Sequence, residues 1–186
     1  MPKNQLLKNA STYFGANILN GLIPFLLLPI LTRFLSVESY GEVAIFQTLY
    51  MALSAFVGIT IAGAADRKFF DDGTSSELAN FIGACFQICL FLTMTTTIVF
   101  LLFKNQASAI LGISMDYIFY AILVSVSLVA IQIRLGQWQV RGRAFAYGFM
   151  QVSQSSSIVI LAVVMVVIFN LDALGRIYAQ VFICGL

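Results

Sequence analysis

The chain has no histidine, only three cysteines and few charged side chains. The absence of histidine argues against an imidazole-ligated metal site, and three cysteines are too few for a disulfide framework. No Walker-type loop, GxGxxG, GxSxG or HExxH pattern occurs, so neither an ATPase nor a hydrolase is indicated. Charged residues make up 10% of the 186 residues, against about 25% in an ordinary globular domain. This composition excludes most soluble proteins, and no cofactor or metal is expected.

Hydrophobic residues, by contrast, make up 60% of the chain and lie in long runs without charge. A charge at the centre of a membrane helix costs about 2.5–3.5 kcal/mol, so the gaps between charged residues mark candidate spans. A hydrocarbon core about 30 Å thick needs roughly 20 residues of helix. The gaps predict an all-α integral membrane protein with five complete spans and an incomplete sixth, at residues 9–32, 43–65, 78–103, 115–134, 146–170 and 176–186. Because the last apolar segment is unfinished, we expect residues 1–186 to be the amino-terminal part of a longer polypeptide.

Basic residues are divided unevenly between the two predicted faces of the membrane. Seven lie on one face and three on the other: Lys3, Lys8, Arg67, Lys68, Arg134, Arg141 and Arg143 against Arg33, Lys104 and Arg176. Lys and Arg accumulate in cytoplasmic loops, so this imbalance predicts a cytoplasmic amino terminus. A cleaved signal peptide over residues 1–32 is the weaker alternative, because the apolar run is too long and no small-residue cleavage site follows it.

Polar side chains persist inside three of the predicted spans, where hydrocarbon offers them no hydrogen-bond partner. Amides and hydroxyls at such positions either join helix to helix or line a water-filled cavity for a polar substrate, and the sequence leaves both interpretations open. The second interpretation suits the hydroxyl groups of a sugar. It makes five amide residues candidates for substrate binding: Asn17, Asn20, Gln47, Gln151 and Gln154.

Four arginines form the second candidate set, Arg67, Arg134, Arg141 and Arg143. All lie on the predicted cytoplasmic face, where basic residues commonly set topology and contact lipid headgroups. Guanidinium groups also bind phosphate oxygens in pairs, which suits a lipid-diphosphate substrate that enters from the cytoplasm. These residues are therefore candidates for binding a pyrophosphate.

Acidic residues are informative mainly by their absence from the spans. Asp66, Asp71, Asp72 and Glu77 group in one predicted cytoplasmic loop. Ion-coupled transporters usually keep a carboxylate inside a span, so the sequence predicts no buried cation site unless Asp66 lies deeper than this loop.

Two local features concern the first span and the start of the second helix. Pro24 and Pro29 lie inside the first span, and proline removes helix hydrogen bonds, so this helix is predicted to bend or partly unwind. Ser39 and Glu42 have the spacing of a capping box at the start of the second helix.

The stretch from Asn17 to Gly41, NILNGLIPFLLLPILTRFLSVESYG, resembles the opening of a known transporter family. The pattern is a proline-containing first helix, a Pro-Ile-Leu-x-Arg segment and a short loop that closes on Tyr-Gly. Pro29, Arg33, Tyr40 and Gly41 match it. The segments from Gly58 to Phe70 and from Gln139 to Tyr147 are also similar to the family. It comprises the Wzx-type lipid-linked oligosaccharide flippases of the multidrug/oligosaccharidyl-lipid/polysaccharide exporter superfamily.

The resemblance implies a MATE-like fold of two six-helix lobes, of which this chain supplies most of the first while the second is absent. It implies a transporter, not an enzyme, that moves an undecaprenyl-pyrophosphate-linked oligosaccharide of O-antigen, capsule or exopolysaccharide across the bacterial inner membrane by alternating access. The implied partners are the lipid bilayer, this glycan, a polysaccharide polymerase and a chain-length regulator; no nucleic acid is expected. A drug/cation antiporter of the same superfamily and a non-transporting membrane scaffold are the alternatives.

Overall fold

A computed structural model describes residues 3–71 and 75–185, and their regular secondary structure is helical throughout. Helix α6 continues into a π-helical segment, Val164–Ile168, a rare geometry that often marks functional positions. The helices are α1 (Lys3–Phe34), α2 (Val37–Lys68), α3 (Ser75–Leu102), α4 (Lys104–Leu111), α5 (Met115–Val140), α6 (Ala144–Val163) and α7 (Asp172–Gly185).

Five of these helices, α1, α2, α3, α5 and α6, are long and apolar enough to cross a membrane. The chain is therefore a multi-pass, all-α membrane protein. Helix α7 has 14 described residues, which at about 1.5 Å per residue reach roughly 21 Å, less than the hydrocarbon thickness. Leu186, the last residue of the predicted sixth span, lies outside the described residues.

Helix α4 occupies a segment for which the sequence predicts no helix. Its eight residues, Lys104–Leu111, are mostly polar or small, and none of them is buried. Gly112 ends it with φ of +66°, a left-handed conformation that glycine adopts without steric cost.

The first connection is tighter than predicted. Helix α1 runs without interruption through Pro24 and Pro29, so of the two predicted alternatives, a bend or a partial unwinding, the helix does not unwind. Helix α2 begins at Val37, and the Ser36 hydroxyl accepts a hydrogen bond from the Ser39 backbone N–H at 3.1 Å. This bond makes Ser36, not Ser39, the residue that caps α2. The predicted cap is displaced because the loop consists only of residues 35–36 and Ser39 already lies in the helix.

The same shift places Tyr40 and Gly41 inside α2, not in the loop that the motif suggests. Both are half-buried, whereas Pro29 and Arg33 of the same motif are exposed on α1.

The chain divides into two compact units. The first comprises the residues up to Tyr40 and Trp138–Cys184, and therefore contains α1, α6 and α7. Here α1 and α6 run parallel, since Asn17 pairs with Gln151 and Asn20 with Ser155. A Cβ at Gly148 would lie 3.1 Å from the Ala16 Cβ, so small residues allow these helices to approach closely.

The second unit comprises Gly41–Gln137 and contains most of α2, with α3, α4 and most of α5. Helices α2 and α5 also run parallel, because Gly58 meets Val129 and Asp66 meets Gly136. One core cluster joins α2, α3 and α5 through seven buried side chains: Val57, Ile61, Ala65, Cys85, Cys89, Val129 and Ile133.

Candidate functional site

A polar seam joins α1 to α6 inside the first unit. The Asn17 Oδ1 accepts hydrogen bonds from Gln151 Nε2 at 3.2 Å and from the Tyr147 hydroxyl at 3.5 Å. One helical turn further, the Asn20 Oδ1 accepts a hydrogen bond from the Ser155 hydroxyl. Three of the five predicted amide residues, Asn17, Asn20 and Gln151, thus lie together. In this conformation they join helix to helix, the first of the two interpretations that the sequence left open.

The seam continues to the α5–α6 turn and fixes its position against α1. Asn9 Nδ2 donates to the Gly142 carbonyl at 3.3 Å, and the Tyr13 hydroxyl donates to the Gln139 carbonyl at 3.4 Å. Gly142 has φ of +69°, so the turn depends on a left-handed glycine. On either side of it, Arg141 and Arg143 are exposed. The turn therefore holds two predicted phosphate-binding residues at a defined place on the surface of this unit.

The other two predicted arginines lie in the second unit. Arg67 is exposed in the last turn of α2, and Arg134 is exposed on α5 two residues before Gly136. Because Gly136 packs against Asp66, both arginines lie at the same end of the α2–α5 pair. The neighbouring Lys68 is bound to Asp71 at 2.9 Å. Asp72 lies outside the described residues, and the side chain of Lys3 is not described.

Gln154 does not join the α1–α6 seam. Its Nε2 lies 3.6 Å from the Cys184 sulfur, which also accepts from Gln180 Nε2 at 3.3 Å. Gln180 Oε1 in turn accepts from the Arg176 guanidinium at 3.1 Å. Arg176 is only 7% exposed. Arg176 was predicted to lie at a membrane face. Its spacing of four and eight residues from Gln180 and Cys184 is the sequence signal for one polar stripe on α7.

The described residues of each unit line a cavity or groove. In the second unit, a cavity of about 500 Å³ between α2 and α5 carries the Tyr50 and Ser54 hydroxyls and the Gln132 amide in a mostly apolar wall. Gln47, the predicted residue on α2, is half-buried and does not line it. In the first unit, an apolar groove of about 580 Å³ runs between α1 and α6, with Leu19 and Phe149 among its lining residues.

Asp66 lies inside α2, not in the loop where the sequence analysis placed it. A Cβ at Gly136 would lie 2.3 Å from Asp66 Oδ1, so the carboxylate lies directly on the α5 backbone. Asp66 follows the last residue of the predicted span 43–65. Burial raises the pKa of its carboxyl above the usual value, and the neighbouring Gln137 side chain partly offsets that rise. Asp66 is half-buried and lies deeper than the predicted loop, so it is the exception that the prediction itself named.

Comparison with known proteins yields two relatives from Haemophilus influenzae. The chain is 28% identical to an uncharacterized membrane protein over 172 residues, 92% of this chain and 40% of that protein. It is 30% identical to protein 1 of the Lsg locus over 150 residues, 80% of this chain and 34% of that protein. The chain thus spans well under half the length of these curated relatives. No protein-family model matches it, and no solved structure is significantly similar.

Proposed function

We propose that this chain forms the amino-terminal lobe of a lipid-linked oligosaccharide flippase in a bacterial inner membrane, with its amino terminus in the cytoplasm. The observation that carries the proposal is the exposure of four arginines at helix ends or in the α5–α6 turn: Arg67, Arg134, Arg141 and Arg143. Guanidinium groups at helix ends are accessible to a phosphate and bind its oxygens bidentately. A pyrophosphate-linked substrate that arrives from the cytoplasm would meet them first.

The cavities support the same proposal. A sugar-pyrophosphate headgroup cannot cross hydrocarbon unaided, because each unsatisfied polar group costs several kcal/mol (about 2–7) and a charge costs more. The hydroxyls of Tyr50 and Ser54 and the amide of Gln132 are suitable partners for sugar hydroxyls. The apolar groove between α1 and α6 suits an isoprenoid chain that stays in the bilayer.

Alternating access gives the α1–α6 seam a second role in this proposal. Asn17 and Gln151 bond to each other in the described conformation, yet Asn17 remains exposed and Gln151 half-buried. A sugar hydroxyl both donates and accepts, so it can replace either amide partner without leaving a polar group unsatisfied. The second lobe, the rocking motion and the polysaccharide polymerase and chain-length regulator as partners are further parts of the proposal, and they concern a protein longer than this chain.

The test uses the gene that encodes this chain, with Arg67→Ala, Arg141→Ala and Arg143→Ala introduced singly and together. We expect a loss of surface polysaccharide and an accumulation of its lipid-linked precursor at unchanged protein level. Lys104→Ala is the matched control, because Lys104 is exposed but lies on the opposite predicted face. Unchanged polysaccharide in the triple variant would remove these arginines from the substrate path and leave the proposal without its main support.

A drug/cation antiporter of the same superfamily is the second candidate, and one observation favours it. Such a transporter needs a carboxylate among its helices, and Asp66 is one that packs against α5. The two candidates differ in phenotype. Asp66→Asn in an antiporter abolishes resistance to cationic drugs and leaves surface polysaccharide intact, whereas the arginine variants of a flippase do the reverse.

A further inference from the structure

Three basic residues lie together at one end of the α1–α6 pair. Asn9 Nδ2 donates to the Gly142 carbonyl at 3.3 Å, so the first turns of α1 lie beside the α5–α6 turn. Lys8 directly precedes this asparagine, and its side chain is exposed. Arg141 and Arg143, on either side of the glycine, are exposed as well. These three residues form the cation cluster of the first unit.

The acidic residues of the first unit lie at its other end. Among the described residues they are Glu38, which follows the end of α1, and Asp172, which follows the π-helical segment that extends α6. Because α1 and α6 are parallel, both acidic residues lie at the end opposite the cation cluster. The end that carries the cation cluster therefore attracts anions.

The apolar groove between α1 and α6, about 580 Å³ in volume, begins next to the cation cluster. On α6 its lining starts at Phe145, two residues after Arg143, which is a rise of about 3 Å. On α1 its lining runs from Ser11 to Leu19, about 12 Å along the helix. The groove thus leads from the charged end into the apolar part of both helices.

The lining of the groove suits a hydrocarbon chain. A Cβ at Gly15 would meet nothing within 4 Å, so the space beside this residue is open. The hydroxyls of Ser11 and Thr12 donate to carbonyls one turn earlier on α1, at 2.8 and 2.9 Å, and need no polar ligand. Phe145 and Phe149 stack with ring centroids 6.3 Å apart and are largely exposed. An occupant of this groove would therefore contact mainly carbon.

We propose that the groove and the cation cluster bind one anionic phospholipid of the surrounding bilayer. Its phosphate lies at the cation cluster, where guanidinium groups bind phosphate oxygens, and one acyl chain lies between α1 and α6. A helix of a second copy could fill the groove but would supply no phosphate. This inference does not rest on the proposed function, because any bilayer provides the lipid. In a flippase, the phospholipid would keep the groove filled until the isoprenoid chain displaces it.

The experiment measures lipid binding to the purified full chain by native mass spectrometry. The protein is released from micelles that contain equal amounts of phosphatidylglycerol and phosphatidylcholine with identical acyl chains, so that only the headgroups differ. We expect one bound lipid and a preference for phosphatidylglycerol. A basic residue near a lipid surface contributes enough attraction for Arg143→Ala to lower this preference about fivefold. Combining it with Arg141→Ala should abolish the preference.

The groove is tested separately with Gly15→Leu, whose side chain occupies the space that the acyl chain needs. Gly21→Leu is the matched control, because Gly21 lies on the same helix and a Cβ there also meets nothing within 4 Å, but it does not line the groove. We expect Gly15→Leu to bind both lipids several-fold more weakly than the wild type, and Gly21→Leu to bind them equally well. Circular dichroism checks that both variants fold.

Four results would overturn the proposal. The first is equal binding of the two phospholipids by the wild type, and the second is equal binding by Gly15→Leu and Gly21→Leu. Binding of undecaprenyl phosphate but of neither phospholipid would assign the groove to the transported lipid. A dimer in micelles that Gly15→Leu dissociates would assign it to a second copy.

The arginine variants change only exposed side chains, and they decide the outcome if Gly15→Leu does not fold. Unchanged surface polysaccharide in cells would refute the flippase proposal but would leave this binding result as it is. The two proposals therefore fail independently.

Discussion

The packing of α2 against α5 can be tested at Gly58, where the structure leaves no room for a side chain. A Cβ there would lie 2.1 Å from Val129 Cγ2, 2.5 Å from Cγ1 and 2.8 Å from Cβ. Rotation of the valine about χ1 cannot relieve the contact, because Val129 Cβ itself is too close. Gly58→Ala must therefore push the helices apart or distort them, and overpacking of this kind typically costs about 1–3 kcal/mol.

The matched control is Gly63→Ala on the same helix, where a Cβ would meet nothing within 4 Å. This variant gains only helix propensity, about 0.8–1 kcal/mol for replacing glycine by alanine. Gly58→Ala receives the same gain but suffers the clash. We therefore expect it to be less stable than Gly63→Ala by about 1–3 kcal/mol.

The assay is reversible unfolding in mixed detergent micelles, followed by circular dichroism, with Val129→Ala completing a double-mutant cycle. Val129→Ala alone removes two methyl groups, at about 0.8 kcal/mol each, and makes part of the space that Gly58→Ala needs. The double variant should recover about 1 kcal/mol relative to the sum of the single changes. The reasoning is refuted if Gly58→Ala is as stable as Gly63→Ala, or if the cycle shows no coupling.

Three further predictions concern other parts of the structure. Gly142→Ala should destabilise the first unit by about 1–2 kcal/mol in the same assay, because alanine is strained at φ of +69°. Asn17→Ala and Gln151→Ala should each cost about 0.6–2 kcal/mol but together little more than one alone, as a double-mutant cycle would show for a direct hydrogen bond. Burial raises the folded pKa of Asp66, so its contribution is complete below the unfolded value of about 3.9 and is lost as the pH rises through the folded pKa. Unfolding at several pH values should therefore show the wild type losing stability relative to Asp66→Asn as pH increases.

The five long apolar helices were predictable because hydrocarbon thickness imposes one length on every span. Helix α4 was not predictable, because its eight mostly polar or small residues do not have to span the hydrocarbon. This helix depends on local backbone hydrogen bonds and on Gly112, which ends it. The pattern of charges does not reveal that Asp66 lies in a helix. Reading charge gaps treats each charged residue as the end of a span, so a carboxylate in the last turn of α2 is assigned to a loop.

The candidate site was predictable only in part, for a related reason. Asn17 and Gln151 are conspicuous because each is an amide within an apolar run, and the structure brings them together. Gly136 and Gln137 have no comparable signal. Their role depends on Asp66 and Ala65, about seventy residues earlier in the chain, and such long-range pairs follow only from the packing of α2 against α5.

The direction of the helices links the two units' packing to the charge pattern. Helices that cross a membrane in succession alternate in direction, so the number of crossings from the start of one helix to the start of a parallel neighbour must be even. In the second unit α2 and α5 are parallel, and α2 and α3 supply two crossings before α5 begins, which leaves none for α4. In the first unit α1 and α6 are parallel, and α1, α2, α3 and α5 supply four. Both pairs independently require that α4 does not cross. Within the first unit the start of α1 then shares a membrane face with the α5–α6 turn, and within the second unit the end of α2 shares one with the end of α5. In each unit this end carries residues that the charge count assigns to the face with the excess of Lys and Arg.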